Sequence, residues 1–158
     1  MPSVFEVLKQ DHDEIRSMLA GLENVQEVSD DVTAEQLAYR GRLASEVVTA
    51  MARQEAVEQR HFWPAVHALG PDGERVAAQA HEQQADSAEF TAQLSDADAA
   101  DENFEKLVAS FASATRMYIA FEEAHAWPLL EASISARQGE ELGTAIAEAK
   151  KSAAAEAG

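Results

Sequence analysis

Apolar residues recur at helical spacing along almost the whole chain, and nowhere alternate as a strand would require. Phe5, Leu8, His12, Ile15, Leu19 and Leu22 share one face of a first helix that Ser3 and Glu6 open as a capping box, running to about Val25. The stretch VSDD at 28–31 reads as a turn. Thr33 with Gln36 forms a second capping box for a long helix reaching about Leu69, where GPDG stops it. A third helix is expected from about Glu74 to Leu94, with a weak apolar face because Ala and Gln stand where the others carry large side chains. After SDADAAD a fourth runs from about Glu102 to Arg137 on Phe104, Leu107, Phe111, Tyr118, Phe121 and Leu129. The pattern predicts an all-α, up-down-up-down four-helix bundle over residues 1–138, because all three connections are short. An Ala-rich piece after Gly139 adds a short C-terminal helix and frayed tail over 139–158.

At 158 residues one core suffices. The chain has no cysteine, which leaves His, Asp, Glu, Tyr and amide oxygens as the available metal donors. A net charge of −17 works against nucleic acid and anionic membranes, and no apolar run has transmembrane length or the form of a leader. A cytoplasmic protein with no nucleic-acid or membrane partner is expected.

The chemistry concentrates in a repeated pattern. Glu58-Gln-Arg-His61-Phe-Trp63-Pro64 returns as Glu122-Glu-Ala-His125-Ala-Trp127-Pro128, and each helix pair begins with a histidine, His12 in the first and His81 in the third helix. This is an internal two-fold repeat of helical hairpins. At 1.5 Å per residue, His12 and the Glu58/His61 pair fall at the same height of roughly 12–17 Å, and the second hairpin agrees more loosely. Glu and His three residues apart lie on one helical face, so both can point inward, as paired E-x-x-H motifs do in di-metal bundles. A single interior His is more often a hydrogen-bonded core residue, and a lone E-x-x-H says little. Two copies in register are hard to explain as core filling, since buried Glu without a partner is costly. Trp63 and Trp127 are expected to serve in lateral packing or at an interface. Pro64 and Pro128 should bend their helices, and His67 falls off the site face.

The chain resembles the hemerythrin-like (HHE cation-binding) family over about Val4 to Leu130. VLKQDHDEIRSML looks like that family's first helix, EQRHFWPAV and EEAHAWPLL like the ends of its second and fourth, and HEQQADSAEF like its third. The resemblance implies metal ligands at His12, Glu58, His81 and Glu122. The family usually has His four residues before each of these glutamates, where this chain has Gln54 and Tyr118, and hemerythrins proper have a second third-helix His where this chain has Ala85. With His61 and His125 standing one turn along, the expected set is four His and two Glu: His12, Glu58, His61, His81, Glu122 and His125.

Such a set holds a di-iron pair with room for an oxo or hydroxo bridge and a small exogenous ligand. The expected function is to bind or react with dioxygen, peroxide or nitric oxide, as sensor, scavenger or oxidase. Tyr118 is expected either to ligate iron, to donate a hydrogen bond to a bound oxygen species, or to be a plain core aromatic, with Gln54 as its polar counterpart. The competing class is a binding module for iron storage or delivery, or a redox-inert Zn or Mn site. A third is a metal-free bundle whose tryptophan surfaces bind a partner.

Overall fold

In the computed structural model, which describes residues 1–24 and 32–157, every regular element is helical. The helices are α1 (Val4–Glu23), α2 (Ala34–Val57), α3 (Trp63–His67), α4 (Pro71–Asp96), α5 (Phe104–Phe121), α6 (Trp127–Glu131) and α7 (Ala136–Ala157). Both expected capping boxes form: Ser3 and Glu6 exchange hydrogen bonds, as do Thr33 and Gln36. The expected end of the first helix at Val25 and the turn at 28–31 fall outside the described residues.

Between α2 and α3, and again between α5 and α6, the helix widens into a π-helical turn, at Glu58–Phe62 and Glu122–Ala126. The amides of Trp63 and Trp127 reach back five residues to the carbonyls of Glu58 and Glu122. Pro64 and Pro128 follow directly and have no amide to continue an α-helical ladder. The expected bend is therefore realised as an inserted residue, a device found often at functional sites. In both copies the glutamate of the repeat begins the wide turn.

α1, α2, α4 and α5 form the bundle, with the core between them. α1 buries Val4, Leu8, His12, Ile15, Leu19 and Leu22, and α5 buries Phe104, Phe111 and Ile119. On α4 the inward positions are Gly73, Val76, Ala80, Gln84, Ser87 and Leu94. Such small and polar residues let the helix approach closely while giving little hydrophobic signal.

Sequence and structure differ most at the C-terminus. The fourth-helix run ends at Glu131, short of the expected Arg137, and α7 is 22 residues long. Ser135 and Gln138 form a third capping box at its start. α7 packs along α1, burying Ile146 completely and pairing Lys150 with Asp11.

Gly73 lies where α4 meets the end of α3. A Cβ there would stand 2.0 Å from the carbonyl oxygen of Val66. Gly73→Ala therefore forces backbone apart and is expected to destabilise the protein by about 1–3 kcal/mol. Urea denaturation checks this, and an unchanged midpoint would contradict it.

Candidate metal centre

Three of the expected donors meet at the centre of the bundle. His12, Glu58 and Glu122 are each 0% exposed, and one ligand atom from each lies within 4.8 Å of the others. His12 comes from the apolar stripe of α1, and the glutamates from the two π turns, whose first residues face inward. His12 Nε2 is 2.6 Å from Glu122 Oε2 and 3.8 Å from Glu58 Oε1. The first is an ion-pair distance, yet the contact does not have the geometry of a hydrogen bond. Nε2 and both Glu122 oxygens are thus buried without an aligned hydrogen bond. Buried polar atoms are rarely left so.

The surroundings hold this cluster in place. His12 Nδ1 meets Glu123 Oε1 at 2.9 Å, and Arg16 clamps Glu123 through both carboxylate oxygens at 3.0 and 2.7 Å. Glu123 accepts the Nδ1 proton, so Nε2 is the nitrogen presented to Glu58 and Glu122. Trp127 stacks on the imidazole, with ring centroids 5.3 Å apart and planes 14° from parallel. On the other side, Gln54 Nε2 donates to Glu58 Oε1 at 2.9 Å and the Tyr118 hydroxyl donates to Glu58 Oε2 at 3.0 Å. Tyr118 Oη in turn accepts from Trp63 Nε1 at 2.9 Å and Gln84 Nε2 at 3.0 Å.

Electrostatics follow from burial and crowding of like charge. Burial, then the charge of Glu58, raises the Glu122 carboxyl well above its ordinary value. Burial alone would lower the His12 imidazolium, but Glu122 and Glu58 outweigh it and raise its pKa from 6.5 to about 10. Burial and the charges of Glu58 and Glu122 push the Tyr118 phenol up, so its proton stays on Oη at neutral pH.

Three expected donors are not brought to this point. His125 is exposed and His61 half-buried, because both stand inside the π turns. Hydrogen bonding to the fifth residue puts nearly one more residue in each turn, so the position three after a glutamate no longer returns to its face. His81 is exposed because it follows the inward Ala80 by one residue, about 100° around the helix. Gln84 occupies the inward position instead. Trp63 and Trp127, expected in lateral packing or at an interface, pack on Phe62 and Phe5 and also reach the site: one bonds Tyr118 and the other covers His12. His67 is exposed, as expected.

Sequence reasoning missed Glu123, Arg16 and Gln84. Arg16 stands one turn after His12 and Glu123 beside Glu122, so the adjacent Glu pair was the available signal.

The donor set can be tested against a cation. Two carboxylates and an imidazole nitrogen suit a divalent ion of the iron, manganese or zinc type, and the atoms without an aligned hydrogen bond are the ones such an ion satisfies. The residues fit.

Residues 3–130 match the hemerythrin HHE cation-binding domain, and the chain belongs to that family. A search of curated proteins finds no match. Among solved structures, the chain is similar to a hemerythrin HHE cation-binding domain-containing protein from Mycobacterium kansasii. The TM-score is 0.78 at 21% identity, covering 96% of this chain and 87% of that one. At that identity the likeness speaks for the fold.

Tyr118 ties both halves of the site together. Tyr118→Phe removes the donor to Glu58 and leaves Trp63 Nε1 and Gln84 Nε2 without their acceptor, so a loss of about 1–3 kcal/mol is expected. Equal melting temperatures for the two proteins would contradict the network.

Proposed function

We propose that the chain is a non-haem iron protein in which His12, Glu58 and Glu122 hold the metal, and that it binds or consumes dioxygen, peroxide or nitric oxide. The observation that carries this reading is the buried trio in which Nε2 of His12 and both oxygens of Glu122 lack an aligned hydrogen bond. Iron so held supplies redox chemistry and open positions for a small ligand. The paired, bridged centre expected from the sequence needs nitrogen donors from His61, His81 and His125. Their placement favours a single ion.

The protein's own groups then have defined tasks. Glu123 and Arg16 fix the His12 tautomer, and Trp127 holds the ring plane. Gln54 and Tyr118 orient Glu58, and Tyr118 keeps a proton at Oη beside the centre. Phe62, Ile119 and Leu130, all fully buried, help keep bulk water out of the core.

A metal-free bundle is the second reading, favoured by one observation: at 2.6 Å from Glu122, a His12 imidazolium can offset a carboxylate by itself. Metal analysis of protein purified without added metal, followed by anaerobic loading with ferrous iron, separates the two. The proposal expects close to one tightly held iron per chain, oxidised faster by dioxygen or peroxide than iron in buffer. Absence of retained metal supports the metal-free bundle. Zinc or manganese without turnover supports a redox-inert site, and many irons per chain support storage.

A further inference from the structure

A cleft of about 500 Å³ opens between α3 and α4 on the Tyr118 side of the centre. Trp63, Pro64 and Ala77 give it an apolar wall, and Gln59, His67, His81 and Gln84 supply its polar groups. The volume is that of a small-molecule site, and the mixture of an apolar wall with a few convergent polar groups is typical of one. Its charge is unusual for this chain. Among the described residues no Asp or Glu lines it, although acidic residues outnumber basic ones in the chain by more than two to one.

The floor of the cleft is the network around Glu58. Gln59 Nε2 donates to Gln84 Oε1 at 3.0 Å, Gln84 donates to Tyr118 Oη, and Tyr118 donates to Glu58. Trp63, also in the wall, donates to the same phenol oxygen. An occupant competing for Gln59 or Gln84 therefore acts three hydrogen bonds or fewer from a buried carboxylate of the candidate metal centre. His67 and His81, which have no place in that centre, find one here.

We propose that this cleft binds a small neutral organic molecule of the phenol class, its ring against Trp63 and Pro64 and its hydroxyl among the glutamines and histidines. With no carboxylate in the lining among the described residues, a cation finds no counter-charge there, and the indole and pyrrolidine rings suit a flat apolar face. Binding stands apart from the metal reading; only its coupling to the centre rests on it.

Phenol is the probe, titrated into the full chain both as purified and after metal removal, with the two indole N–H resonances followed by NMR. Trp63 and Trp127 are the only tryptophans, so each experiment carries its own control. The Trp63 resonance is expected to shift saturably with a dissociation constant on the order of 1 mM, the strength typical of so small a molecule, while that of Trp127 stays. Ala77→Phe, which fills the cleft, is expected to weaken binding more than about tenfold. If that variant does not fold, nuclear Overhauser contacts from phenol to Trp63 and His81 in the unmodified chain decide in its place. Failure of Trp63 to saturate at ten times that concentration, equal shifts of both indoles, or undiminished binding in folded Ala77→Phe overturns the proposal. A chain that holds no metal but binds phenol in this way keeps the cleft and loses the metal centre.

Discussion

Glu122→Gln is expected to weaken metal binding more than about 100-fold, since even partners of ligands are commonly worth 10–100-fold, and yet to melt higher than wild-type protein stripped of metal. Both effects come from one carboxylate. In the metal-free chain Glu122 is fully buried with neither oxygen in an aligned hydrogen bond, and burial and Glu58 hold its pKa well above the unfolded value of 4.5. A carboxyl whose folded pKa is raised costs stability from pH 4.5 upward, until pH passes the folded pKa, because only the unfolded chain ionises freely. Glutamine keeps the volume and removes that cost, so its advantage grows across the same window. The triple variant His61→Ala, His81→Ala, His125→Ala should keep its metal, because none of those side chains reaches the trio. Metal analysis and calorimetric melting of the four preparations at several pH values check both statements. Retention of metal by Glu122→Gln, or its loss in the triple histidine variant, would reverse the assignment of the donors.

Metal affinity should rise steeply with pH, more steeply than one proton can explain. The metal-free site holds a proton on His12 up to about pH 10 and another on Glu122 to well above pH 4.5. Both must leave before the atoms can act as ligands. Below both folded pKa values, each displaced proton makes affinity climb about tenfold per pH unit, so two together approach about 100-fold. The stability of the metal-free chain runs the other way. The His12 contribution is complete below about pH 6.5 and is lost as pH rises through about 10, and the Glu122 cost grows over its own window. The gap in melting temperature between loaded and stripped protein should therefore widen with rising pH. Calorimetric titration in buffers of different ionisation enthalpy counts the protons released; a pH-independent affinity would contradict the protonated resting site.

The bundle was legible because α1 and α5 carry large apolar residues at helical spacing, and because two capping boxes and GPDG mark where helices start and stop. His12, Glu58 and Glu122 were legible through position: a histidine in an apolar stripe and a motif repeated in register. The π turns were not. Their cause, a proline after a tryptophan, was visible and read as a bend, but a bend keeps the i, i+3 relation that an inserted residue destroys. For that reason His61 and His125 lie outside the buried trio. His81 also lies outside it, because α4 turns Gly, Ala, Gln and Ser inward, which leaves a histidine as the most conspicuous residue with which to set the helical phase. Glu123 and Arg16 needed tertiary structure, since they lie 107 residues apart in sequence. α7 looked short because alanines dominate it, and its docking depends on Ile146 and on Gly143, where a Cβ would stand 2.8 Å from the backbone of Pro2–Val4.

The central claim is that His12, Glu58 and Glu122 together hold a metal ion. An anomalous difference map collected at the iron absorption edge from crystals of ferrous-loaded protein tests it most directly. The expected result is one strong peak in the bundle interior, bounded by His12 Nε2 and the carboxylates of Glu58 and Glu122. No peak there, or the strongest peak beside His61, His81 or His125, would contradict it.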